Sequence, residues 1–104
     1  VVISLKPNNA EVAVKHSTYF EGKVQSLEIK TDKGRATVGV IEPGKYSFST
    51  ASQETMEIVS GALKYKLKDG GWKEVKKSEN FIVPAGQVFD VEAPQDTAYI
   101  CYYK

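Results

Sequence analysis

Residues 43–61 read PGKYSFSTASQETMEIVSG. Pro43-Gly44 and Ser60-Gly61 bracket the stretch, each pair supplying the fixed or positive φ that a turn needs. Between them lie two runs that alternate in polarity. In the first, Tyr46, Phe48, Thr50 and Ser52 fall on one side of an extended chain, with Lys45, Ser47 and Ser49 on the other. The second, Met56-Glu57-Ile58-Val59, is rich in residues that favour strands. The favoured side of the first run passes from aromatic to hydroxylic along its length. A gradient of that kind suits a barrel filled at its base and polar at its mouth.

The same pattern recurs outward in both directions. Residues 36–41, 45–50, 56–59, 62–68, 80–83, 88–92 and 98–103 all read as strands. The breaks are Pro43-Gly44, Ser60-Gly61, Asp69-Gly70-Gly71, Pro84-Ala85-Gly86 and Ala93-Pro94-Gln95-Asp96. In residues 62–68 the lysines at 64, 66 and 68 take the solvent face, which turns Leu63, Tyr65 and Leu67 inward. By the same period Phe89 and Val91 point in, while Asp90 and Glu92 point out. No amphipathic helix interrupts the series. Seven or more short strands without intervening helices predict an all-β sandwich or barrel.

Composition limits the function classes. A chain of 104 residues with no linker-like segment is one domain. Fourteen Lys and Arg against thirteen Asp and Glu leave a net charge of +1, too little to support binding to nucleic acid or an anionic membrane through bulk charge. The single cysteine, Cys101, excludes an internal disulfide, and no apolar run reaches the roughly 18 residues of a membrane span. A cytoplasmic location is expected. The start Val1-Val2-Ile3-Ser4-Leu5 lacks a signal-peptide pattern, and opening on valine suggests processing.

Residues 43–89 resemble the cupin family at its two motifs. Gly44, Thr50, Ser52, Glu54 and Gly61 stand where the first motif has glycine, two histidines, an acid and a closing glycine. Pro84-Ala85-Gly86 and Phe89 stand where the second ends in Pro-x-Gly and a histidine. The spacing to Glu54 is shorter than the motif expects. All three histidine positions hold Thr50, Ser52 and Phe89 instead, so a cupin-type, jelly-roll-like β-barrel is expected without a metal site, because two hydroxyls and a carboxylate are poor substitutes for imidazoles.

A tighter resemblance covers the chain from Tyr19 onward. The blocks Tyr19-Phe20-Glu21-Gly22-Lys23-Val24-Gln25-Ser26, Gly34-Arg35-Ala36-Thr37-Val38-Gly39-Val40, Pro43 to Thr50, Glu54-Thr55-Met56 with Ser60-Gly61-Ala62-Leu63, and Ala98-Tyr99-Ile100-Cys101 are similar to the bacterial pyrimidine/purine nucleoside phosphorylases, small cupins. The resemblance implies residues 19–104 as the cupin domain, with 1–18 as an N-terminal extension in which Glu11-Val12-Ala13-Val14 is an added edge strand or a dimer contact. It also implies phosphorolysis of purine and pyrimidine nucleosides to free base and (deoxy)ribose 1-phosphate, without metal or organic cofactor. Some relatives carry arginine where this chain has Tyr102, so no role is transferred to that position.

That chemistry asks for an anion cradle, a group that stabilises an oxocarbenium-like sugar, and a surface for the base. Arg35 is the candidate for phosphate, because its planar fork donates paired hydrogen bonds. Glu54 is the second catalytic candidate, for the ribose hydroxyls or the cationic sugar. Thr50 and Ser52 offer hydroxyls at the barrel mouth, and Tyr46, Phe48 and Phe89 offer π-faces that suit any base. Each has a plainer reading. Arg35 reads equally as a surface arginine, Thr50, Ser52 and Glu54 as polar residues near a turn, and Phe48 and Phe89 as barrel core. Cys101 reads as an inert buried thiol, His16 as an exposed or linker histidine, Trp72 as a hairpin residue over an edge, and the lysines at 64–77 as a solvated face. Two alternatives stand beside the phosphorylase: a non-catalytic cupin that binds a nucleoside, sugar or anion, and a metal-dependent cupin using Glu54. A homodimer is expected, since such barrels often pair through sheet edges.

Overall fold

The computed structural model describes residues 14–104. Ten strands follow one another: β1 His16–Tyr19, β2 Val24–Thr31, β3 Gly34–Ile41, β4 Gly44–Ser49, β5 Glu54–Ser60, β6 Ala62–Leu67, β7 Lys73–Lys76, β8 Asn80–Val83, β9 Val88–Ala93 and β10 Thr97–Tyr103. A single 3-10 turn, Phe20–Gly22, links β1 to β2, and the described residues contain no α-helix. Among the described residues no helix is long and apolar enough to cross a membrane.

Every pairing is antiparallel. One sheet runs β1-β2-β3-β10-β5-β8 and the other β4-β9-β6-β7. The expected cupin-type barrel takes the form of a two-sheet sandwich whose sheets do not close on each other, so β1, β8, β4 and β7 remain edges. The alternation read from the sequence places the core. Val24, Ile41, Ile58 and Val83 from the first sheet meet Leu63, Val75, Phe89 and Val91 from the second, all buried. Each such side chain contributes roughly 1.5–3 kcal/mol by leaving water. Leu63 is buried, with Tyr65 and Leu67 packed against the core, while Lys64 faces solvent.

Three strands lie outside the runs read from the sequence, for local reasons. In β7 only Val75 of four residues points inward. In β2, Val24 and Ser26 point in while Leu27 is exposed on the opposite face, so apolar residues occupy both sides and blur the period. β1 carries one half-buried residue among exposed ones, and pairs only with β2. His16 is exposed there and shares a hydrogen bond with Gln25 Oε1 at 3.0 Å. The proposed strand or contact at 11–14 lies, apart from Val14, outside the described residues. Trp72 sits exposed in the β6–β7 connection.

Candidate functional site

A cavity of about 400 Å³ opens between the sheets, within the usual size of a small-molecule site. Its first wall is the inner face of the larger sheet. Along β10 the period of two aims Tyr99, Cys101 and Tyr103 at the cavity, where Glu54 and Met56 from β5, Ser26 from β2 and Ile41 from β3 join them. The register is close: Cys101 lies between Thr37 and Met56, and Tyr103 lies opposite Glu54. Tyr99 lies opposite Gly39, and a Cβ at Gly39 would clash with Cζ and the hydroxyl of Tyr99. Glycine is therefore what lets that ring lie flat against the sheet. The second wall is aromatic. Phe48 from β4 and Phe89 from β9 lie 5.7 Å apart between ring centroids, and Tyr19 and Phe20 reach in from the β1–β2 turn.

The polar wall is organised around one carboxylate. Cys101 Sγ donates to Glu54 Oε1 at 3.3 Å. Burial pushes the Glu54 carboxyl above the usual carboxylate range, opposed by the Cys101 hydrogen bond and then by the positive charge of Arg35. Burial also pushes the Cys101 thiol far up, reinforced by the Glu54 charge, so it stays a protonated donor. Tyr103 is pushed up to about 12 by burial, although its hydrogen bond with the Thr37 hydroxyl at 3.1 Å works the other way. Tyr99 is raised as well, chiefly by burial. The Glu54 carboxyl group thus meets one neutral donor within the sheet, the Cys101 thiol, and the field of one cation beyond it.

That cation is Arg35. It is exposed, its guanidinium carbon stands 4.1 Å from the centroid of the Tyr103 ring, and Nη1 meets Glu28 Oε1 at 3.3 Å. Among the described residues Glu28 is the one carboxylate it touches. Arg35 and Glu54 therefore lie on opposite flanks of Tyr103.

Of the residues singled out in the sequence, Glu54, Phe48 and Phe89 line the cavity together, with Arg35 beside its Tyr103 edge. Tyr46, Thr50 and Ser52 are not among its lining residues. Tyr46 is buried, and its hydroxyl donates to the Glu42 carbonyl at 2.6 Å. Burial, then the Glu42 charge, raises its pKa. Thr50 is buried with its hydroxyl engaged: Oγ1 donates to the Pro84 carbonyl at 2.7 Å and accepts from the Gln87 N–H at 3.1 Å, pinning the turn before β9. Ser52 lies in the bend after β4. The described residues hold no group of three or more His, Cys, Asp or Glu side chains that could bind a metal ion. Sequence reasoning missed Tyr19, Phe20, Ser26, Tyr99, Cys101 and Tyr103 as lining residues. For the last three the signal was present, since the period of two puts them on the face that holds Thr97, itself buried.

A family model described as pyrimidine/purine nucleoside phosphorylase matches residues 14–103. A curated relative from Pseudomonas fluorescens, named pyrimidine/purine nucleoside phosphorylase, is 43% identical over 91 residues, which are 86% of this chain and 97% of that protein. The crystal structure of a protein of unknown function from Vibrio parahaemolyticus superposes with a TM-score of 0.84 at 34% identity, covering 89% of this chain and all of the other, or 100%. The EutQ protein of Clostridium difficile, at a TM-score of 0.64 and 15% identity over 75% of this chain and 59% of its own, shares the fold alone. The cupin-like sandwich and the match across nearly the whole described chain agree, and the chain belongs to the pyrimidine/purine nucleoside phosphorylase family.

Proposed function

We propose that this chain is a broad-specificity pentosyltransferase that needs no metal or organic cofactor. Inorganic phosphate attacks the anomeric carbon of a purine or pyrimidine nucleoside. The new C–O bond forms as the glycosidic C–N bond breaks, and the base leaves with the bonding pair and takes a proton from phosphate or water. The observation that carries this reading is the placing of Arg35 and Glu54 on either flank of Tyr103, at the edge of a cavity whose other wall is aromatic. Arg35 binds the phosphate, its guanidinium supplying paired donors to an anion. Glu54 accepts from the ribose hydroxyls and stabilises the positive charge that develops on the sugar. Phe48 and Phe89 give the base an aromatic surface, backed by Tyr46. Thr50 acts through the turn before β9 that its hydroxyl pins, and Ser52 through the bend after β4 in which it lies.

No histidine lines the cavity, which favours one second reading, a module that binds nucleoside or sugar without turnover. The two part in one experiment: free base released from inosine, uridine and adenosine, with and without phosphate, in the presence of a chelator. Release that needs phosphate and survives the chelator is the expected result. No release from folded protein would leave the binding module.

A cytoplasmic location accompanies the reading, in keeping with a lone unpaired thiol, and so does a homodimer. On the outer face of the larger sheet Leu27, Val38 and Ile100 form one cross-strand row and Val40 and Ala98 part of the next. Leu27, Val38 and Val40 are exposed. An apolar sheet centre of this kind, bounded by Glu57 opposite Ile100, is best covered by its own copy across a twofold axis.

A further inference from the structure

The turn between β1 and β2 has an unusual backbone. Phe20, Glu21 and Gly22 take φ of 53°, 58° and 89° in succession, a left-handed run in which two of three residues carry side chains. Such conformations are costly for L-residues and persist where their surroundings hold them. Here three hydrogen bonds hold the run and its exit. Lys23 N–H donates to the Phe20 carbonyl at 3.2 Å, Gln25 Nε2 donates to the Gly22 carbonyl at 3.0 Å, and Glu42 N–H donates to the Lys23 carbonyl at 2.9 Å.

The run swings the Phe20 ring from the larger sheet across the cavity mouth to the aromatics of the smaller one. Phe20 stands edge-on to Tyr46 at 5.0 Å and 61°, and edge-on to Phe48 at 5.5 Å and 85°. It lines the cavity and yet keeps 42% of its surface exposed. Buried aromatics complete the series inward, from Phe48 to Phe89 at 2% exposure. A large ring held half in water by a strained turn is poorly explained by core packing alone, because an unstrained turn would leave the core intact.

We propose that the Tyr19–Gly22 turn is the nucleobase clamp of this site, with Phe20 and Phe48 forming a right-angled corner that takes a planar heterocycle. This rests on the phosphorylase reading and adds to it the part of the site that recognises the base. A base laid against the face of one ring meets the edge of the other, an arrangement that aromatic quadrupoles favour. The two phenyl rings carry no directional donor or acceptor, so purines and pyrimidines are held by the same stacking surface. The sugar then faces the opposite wall, where Glu54, Cys101 and Tyr103 lie. Phe20 is thus a substrate-binding residue that sets base affinity, apart from the phosphate side at Arg35.

The test uses Phe20→Ala and Phe20→Leu in the full chain, with circular dichroism and thermal melts to verify folding. Phosphorolysis of inosine and uridine is measured with nucleoside varied at saturating phosphate and with phosphate varied at saturating nucleoside, and binding of hypoxanthine, uracil and ribose 1-phosphate is followed by ligand-observed NMR. The expected result for Phe20→Ala is a KM for both nucleosides raised about tenfold or more, with weaker binding of both free bases. The KM for phosphate and the binding of ribose 1-phosphate stay unchanged. Phe20→Leu, which keeps apolar bulk without the π-face, falls between. Wild-type turnover with an unchanged nucleoside KM in Phe20→Ala overturns the clamp and leaves the phosphorylase reading standing. Absent turnover with base binding that Phe20→Ala loses supports the clamp while the phosphorylase reading fails. If the wild type binds no base, the clamp is overturned.

Discussion

At the scale of single residues, the proposed chemistry turns on Glu54 and its neighbours. Burial raises the carboxyl, while the thiol of Cys101 and the charge of Arg35 hold that rise in check. Two consequences have opposite pH signs. For folding, a carboxyl whose native pKa is raised contributes most below its unfolded pKa and loses that contribution as pH rises through the native value. Glu54→Gln should therefore melt at or above the wild type at pH 7, and the difference should shrink by pH 4. In the proposed catalysis the ionised form is the active one, so activity rises through the same raised pKa, and Glu54→Gln should lose about a hundredfold or more in kcat above that pKa, with the deficit shrinking below it as the wild type is protonated. Arg35→Gln removes a positive charge that favours the carboxylate. The acidic limb of the pH–rate profile should then move to higher pH, while the KM for phosphate rises steeply. Unchanged phosphate KM and an unmoved limb would remove Arg35 from the site.

At the scale of elements, strands with a clean period of two were legible and those without it were not. Residues 43–61 gave β4, β5 and their turns because each carries one buried and one solvated side. β2 hid because Leu27 and Val24 face opposite ways, and β7 because one inward valine is too short a pattern. The site divides along the same line. Phe48 and Phe89 lay on strands whose faces could be read and Glu54 stood at a motif position just before the run 56–59, whereas Phe20 depends on a left-handed turn that no alternation announces. Thr50 stood at a motif position, but its hydroxyl satisfies backbone groups of a distant turn, a pairing set by tertiary packing. Gly39 joins element to site. Gly39→Ala drives a methyl against Cζ and the hydroxyl of Tyr99, so Tyr99 must shift from its position on the cavity wall. The expected cost is about 1–3 kcal/mol of stability, as for an overpacked interior, with a raised nucleoside KM. A denaturant melt and a kinetic assay check the two together, and a variant unchanged in both would show that Tyr99 is not held by that contact.

At the scale of the whole molecule, the sandwich gives its two sheets different tasks. Their inner faces form the core and the cavity, and the larger sheet turns an apolar outer face to solvent. If that face joins two copies, wild-type protein sediments at twice the chain mass and the paired substitution Val38→Lys with Val40→Glu sediments as a monomer. A wild type that is monomeric at high concentration would leave the face unpartnered by its own copy. The central claim, that an aromatic wall facing a carboxylate and an arginine carries out phosphorolysis, meets its most direct test in the fate of the phosphate. Incubation of uridine or inosine with inorganic phosphate and chelator, followed by phosphorus NMR, should show a sugar 1-phosphate resonance growing in step with free base. Base released alongside unchanged inorganic phosphate and free ribose would mean hydrolysis, and would contradict the account.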